Sequence, residues 1–90
     1  MIEFDKAIKK LHQGSYDVIF NEKRYLLSVQ VELDAKLIKL YAKELGGNDF
    51  VSLNYYPYIR DGLLKPCEMP VKKVKEFVLN LEVIGEDDGV

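Results

Sequence analysis

Residues 15–33, SYDVIFNEKRYLLSVQVEL, alternate in polarity over most of their length. Tyr16, Val18 and Phe20 alternate with Asp17 and Ile19. After the segment 21–24 the pattern resumes, with Tyr25, Leu27, Val29, Val31 and Leu33 on one side and Leu26, Ser28, Gln30 and Glu32 on the other. A period of two sends successive side chains to opposite faces of a strand. The stretch therefore specifies two strands with one buried face, joined as a hairpin by a tight turn at 21–24. A lone hairpin is marginal in water. The rest of the chain must supply more strands and a covering layer.

The covering layer is legible at both ends. Phe4, Ala7, Ile8 and Leu11 recur at helical spacing and predict a helix over 2–13, with Gly14 as its stop. Val71, Val74, Phe77, Val78 and Leu81 make the apolar stripe of a second helix, with Pro70 in its first turn. Between them, 34–47 (DAKLIKLYAKELGG) fits two templates. As a helix, Asp34 is the N-cap, Leu37, Ile38, Tyr41 and Leu45 form a stripe, and Gly46 ends it. As a strand, Ile38, Leu40 and Ala42 alternate with Lys39, Tyr41 and Lys43. Local propensity favours the helix. The hairpin's need for partners favours the strand, and that reading is adopted, with LDAK as its turn. In 50–56, Val51, Leu53 and Tyr55 point one way, and Phe50, Ser52, Asn54 and Tyr56 the other. Pro57 ends that strand. Arg60-Asp61-Gly62 is a turn, and Leu63-Leu64-Lys65 a short extended piece. The expected architecture is α+β: an antiparallel three- to four-stranded meander sheet packed by an N-terminal and a C-terminal helix. One domain spans 1–84, and 85–90 forms an acidic frayed tail.

Ninety residues, 48% hydrophobic and 31% charged, suit one folded domain with a modest core. The net charge of −2 gives no global pull toward nucleic acid or anionic membrane. The single cysteine cannot close an internal disulfide and excludes zinc sites built on cysteine pairs. It fits a reducing compartment, so a cytoplasmic location is expected. The charged N-terminus does not read as a signal peptide, and no apolar run approaches the ~20 residues that span a bilayer. No membrane partner, metal or cofactor is expected.

Four groups of residues could carry chemistry. Cys67, ahead of the second helix, is a candidate nucleophile, since a helix N-terminus favours a thiolate. Against this, Glu68 is adjacent, a like charge disfavours the thiolate, and no base is in sequence reach. The corner reading has Cys67 packed with Leu63, Leu64 and Met69. His12, the only histidine, has no ligand partner at helical spacing. Asn48, Asp49, Ser52 and Asn54 follow two glycines and could form a polar site, although the pattern lacks the Lys-Ser/Thr of a phosphate loop. The richest set is aromatic and cationic: Tyr41, Tyr55, Tyr56, Tyr58 and Arg60, with Lys39 and Lys43. Aromatics among cations on a sheet can stack and track single strands. Tyr and Arg are equally common interface anchors.

RY at 24–25, KLYAKELGG at 39–47, DFVSLN at 49–54 and LKPCEMP at 64–70 resemble a family of short, uncharacterised prokaryotic proteins, over most of the chain from Arg24 to Phe77. Some members are labelled peptide methionine sulfoxide reductase. The residues depart from that chemistry. There is no Gly-Cys-Phe-Trp motif, no tryptophan, no paired zinc cysteines and no resolving partner for Cys67. The leading expectation is a non-enzymatic domain that binds another protein or forms a homo-oligomer, with Tyr41, Ser52, Asn54, Tyr55, Tyr56, Tyr58 and Arg60 as candidate contacts. The alternatives are a thiol-dependent enzyme or redox sensor on Cys67, and single-stranded nucleic-acid binding through strand tyrosines and lysines. The net acidity and the lack of an RNP-type motif argue against nucleic acid.

Overall fold

The alternating stretch forms the centre of a sheet. The computed structural model describes residues 1–84, so the tail read at 85–90 lies outside the described residues. The chain runs α1 (Ile2–Lys10), β1 (Gly14–Phe20), β2 (Lys23–Glu32), β3 (Leu37–Glu44), β4 (Phe50–Tyr56), β5 (Leu63–Pro66), α2 (Val71–Asn80) and β6 (Glu82–Val83). The strands form one antiparallel sheet in the order β5-β4-β3-β2-β1-β6. The architecture is thus α+β with two helices. The strand number corrects the expectation of three to four. The short piece at 63–66 pairs with β4, and β6 returns after α2 to pair with β1.

The β1–β2 turn is two residues, Asn21 and Glu22, both at positive φ (53° and 64°). That is the geometry whose twist matches a right-handed hairpin. The ambiguous segment is a strand. Leu33, Asp34 and Ala35 all take left-handed φ in the loop before it (56°, 57° and 70°). Helical propensity loses here because β3 sits between β2 and β4 and satisfies both of their inner edges.

One face of the sheet is buried. Val18, Tyr25, Leu27, Val29, Ile38, Leu40, Ala42, Val51, Leu53 and Tyr55 meet Phe4 and Ile8 of α1 and Val74, Phe77 and Val78 of α2 in one core. Both helices lie on that face, and the opposite face carries none.

Two helix boundaries differ from expectation. α1 stops at Lys10, and Leu11 is already extended (φ −78°, ψ 122°) so that its side chain packs against the core. Gly14 does not cap the helix but opens β1, at φ 127°. His12 therefore lies in the link between α1 and β1, where the Tyr16 hydroxyl donates to its carbonyl (2.7 Å). Pro70 is the N-cap of α2 rather than its first helical residue.

Candidate functional site

The uncovered face of the sheet is built by the outward positions of the same strands. The register sets Ser28 beside Tyr41 and Tyr41 beside Ser52. The next row toward the β2–β3 loop holds Gln30, Lys39, Asn54 and Lys65. The row on the other side holds Leu26, Lys43 and Phe50. Tyr41 and Phe50 sit on the diagonal, with ring centroids 6.2 Å apart and planes at 29°. They remain 47% and 38% exposed, with Leu26 (43% exposed) in the same row as Phe50 and Lys73 Nζ of α2 5.9 Å from the Phe50 ring centroid. Beside them, Ser28, Gln30, Lys39, Tyr41, Ser52 and Asn54 line a shallow hollow of about 250 Å3.

Charge divides across this face. The outward positions of β3, β4 and β5 hold Lys39, Lys43 and Lys65 and no carboxylate. The outward carboxylates Asp17, Glu32 and Glu82 belong to β1, β2 and β6. Asp17 faces Arg24 at 3.7 Å, and Glu32 reaches Lys39 at 3.8 Å across more than 40% exposure on both partners. Such open pairs neutralise weakly. Among the described residues, Lys43 and Lys65 make no ion pair.

The structure separates the residues singled out from sequence. Tyr41, Ser52 and Asn54 are neighbours on the open face, and Tyr56 lies further along it, half-buried. Tyr55 points inward and is fully buried, so it is withdrawn as a contact. Tyr58 and Arg60 are exposed in the β4–β5 connection, with Lys9 Nζ 5.5 Å from the Tyr58 ring centroid. Tyr58, beside α1, belongs to a different surface from Tyr41. Phe50 and Lys65 were not among the candidates. The alternation in 50–56 already set Phe50 beside Ser52 and Asn54, but nothing local announces the pairing that sets Lys65 beside Asn54.

Cys67 is exposed, which overturns the packed-corner reading. Its amide donates to the Ser52 carbonyl (3.0 Å), extending the β4–β5 ladder by one residue, and Glu68 then turns the chain at φ 61°. Leu64 and Met69 do pack against the core, but the thiol does not. Cys67→Ser should therefore change stability by no more than about 0.5 kcal/mol, the usual range for surface substitutions. Iodoacetamide should alkylate the native protein as fast as the unfolded chain. A protected thiol or a costly substitution would contradict this placement. Among the described residues no group of three or more His, Cys, Asp or Glu side chains is gathered as metal ligands.

Asp49 belongs to neither face of the sheet. Its carboxylate accepts from the Tyr25 hydroxyl (2.7 Å) and from Lys73 Nζ of α2 (2.6 Å) beside a pocket of about 390 Å3. A matching trio ties the other helix. Tyr55 donates to Asp5 (2.6 Å), and Lys9 pairs with the same carboxylate at 3.0 Å. Burial, and then the adjacent carboxylate, push both phenols well above the ordinary tyrosine range. For Asp49, burial pulls upward but the bonds from Lys73 and Tyr25 prevail and hold it below the usual carboxylate range. For Asp5 the Tyr55 bond leads, and Lys9 adds to it, against burial. A phenol locked neutral is no base, and a paired carboxylate is no acid at neutral pH. Because one arrangement serves each helix, the two trios read as latches that fasten α1 and α2 to the sheet.

These latches set the pH limits of stability. A carboxylate with a lowered folded pKa stabilises above its ordinary value and loses that contribution as pH falls through the folded value. A tyrosine with a raised folded pKa stabilises up to its ordinary value and loses that contribution as pH rises beyond it. Denaturation midpoints should be level between about pH 5 and 9 and fall on both sides, with the alkaline fall starting near about pH 10. The Tyr25→Phe/Tyr55→Phe pair should flatten the alkaline fall. An unchanged alkaline fall in that variant would contradict the assignment.

No family model matches the chain, and no curated protein or solved structure matches it.

Proposed function

We propose that this chain is a non-enzymatic binding module that holds an anionic ligand on the uncovered face of its sheet, over β3, β4 and β5. The observation that carries the reading is the Tyr41–Phe50 pair, two large rings left in water between lysines. Isolated apolar groups on a surface need no explanation, but a paired aromatic centre flanked by Lys39 and Lys43 has the make-up of a binding surface. Of the titratable groups that line the pocket of about 390 Å3, Tyr25, Asp49 and Lys73 are bonded to one another, Lys72 lies 4.0 Å from Glu76, and Lys23 makes no ion pair among the described residues.

The strands at the two ends of the sheet offer little for edge-on association. β5 is four residues long and carries Pro66, which lacks an N–H, and outward-facing Lys65. β6 is two residues long. Short edges with proline and lysine discourage strand addition.

Chemical-shift mapping tests the reading with two anionic probes, a mixed-sequence oligonucleotide and poly-glutamate. Shifts should concentrate at Lys39, Tyr41, Lys43, Phe50 and Asn54 with at least one probe. Shifts confined to the surroundings of Lys23 and Lys72, or none with either probe, would overturn it.

A further inference from the structure

Resting on that reading, we infer that the anionic ligand is single-stranded nucleic acid, with its bases on Tyr41 and Phe50 and its phosphates on Lys39, Lys43 and Lys65. Whole-chain charge argues against nucleic acid, but whole-chain charge is an average. The −2 of the chain conceals a half-sheet whose only outward charges are three lysines. Association responds to the local field, which decays within about 8–10 Å at physiological salt. The carboxylates of β1, β2 and β6 bound that field on one side and confine a polyanion to β3–β5.

The geometry distinguishes a single strand from other polyanions. On β3 the sequence Lys39-Leu40-Tyr41-Ala42-Lys43 puts cation, ring and cation on one face at every second residue. The two lysines are thus about 13 Å apart along the strand. Tyr41 lies between them, and Phe50, opposite Lys43, extends the aromatic surface across to β4. A ring face accepts any base, and lysines beside it meet the backbone that joins successive bases. The hollow next to Tyr41 presents Ser52 and Asn54, short donors and acceptors suited to base edges. A peptide would need other features. Strand addition needs a long free edge, and β5 and β6 do not provide one. An amphipathic helix needs an apolar groove, and this hollow is walled mainly by polar side chains. A duplex hides its bases and would leave Tyr41 and Phe50 without partners.

Fluorescence anisotropy with a labelled oligonucleotide of about 12 nucleotides, DNA and RNA in turn, tests this at about 50 mM salt and upward. Single strands should bind, and the matching duplex should bind at least about tenfold more weakly, for want of stacking. Three lysine contacts give a slope of log affinity against log salt of about −2 for a single strand. Tyr41→Ala should weaken binding by about tenfold or more, the value of one stacked base, with the salt slope unchanged. Lys43→Ala should lower the slope by about 0.7. Lys10→Ala, exposed on α1 over the covered face, should change neither. If oligonucleotides fail to bind while poly-glutamate still shifts the open face, the inference falls and the binding-module reading stands. If neither probe touches that face, both fall. Equal affinity for duplex and single strand, or a Tyr41→Ala variant with unchanged affinity, would also overturn the inference.

Discussion

Phe77→Ala should cost about 3–5 kcal/mol, the range for emptying an aromatic site in a packed core. Phe77 is wholly buried on the inward face of α2. Its ring lies 5.1 Å from that of Phe20 and 5.2 Å from that of Tyr25, at steep interplanar angles of 59° and 69°. The contact with Tyr25 is edge-on and that with Phe20 tilted, and such aromatic pairs add to what burial alone contributes. The three rings join α2 to the β1–β2 hairpin, so the cavity would open at the joint between helix and sheet. A domain of this size has total stability on the order of 5–15 kcal/mol. The variant should therefore have its urea midpoint lowered by at least about a fifth, with its m-value unchanged. A loss below about 1 kcal/mol would mean that α2 is not seated as described.

Gly62→Ala should be nearly as damaging, for a different reason. Gly62 sits at φ 103°, where side chains other than glycine's are strained. A Cβ there would also run into the Tyr55 hydroxyl. Tyr55 cannot yield. Its ring is wholly buried against Phe4 (centroids 5.1 Å apart), and its hydroxyl donates to Asp5. Relief would break the latch that fastens α1. Strain and clash together should cost about 3 kcal/mol or more. Gly46→Ala is the control. It also has positive φ (83°) but open space around its Cβ, so it should cost only about 1–2 kcal/mol. Adding Tyr55→Phe to Gly62→Ala should recover part of the loss, because the clashing oxygen goes. If the double variant is as unstable as the sum of its parts, the clash is not the cause.

Residues whose position follows from a local rhythm were legible in the sequence, and residues fixed by a distant partner were not. The β1–β2 hairpin, the inward set Val51, Leu53 and Tyr55, and the stripes of both helices follow from periods of two and 3.6. The same rhythm set Tyr41 with Lys39 and Lys43 once the strand reading was chosen, and the sheet's need for partners chose it. The latches lie beyond such reading. Tyr25 meets Asp49 across 24 positions, and Tyr55 meets Asp5 across 50. Tyr55 was consequently misread as a surface contact, although its place in the alternation already pointed it inward. β5 and β6 were missed as sheet members because four and two residues carry no periodic signal of their own. The charge division across the open face has the same origin. It exists only once the register sets Lys65 beside Asn54 and Glu82 beside Ile19.

The central claim is that the open half-sheet around Tyr41 and Phe50 is the working surface, and zero-length photo-crosslinking tests it most directly. The protein is irradiated with a labelled single strand, digested, and the adduct located by mass spectrometry. The account places the adduct on Tyr41 or Phe50, with loss of signal in Tyr41→Ala. Adducts confined to Tyr58, or to the residues around Lys23 and Lys72, would contradict it.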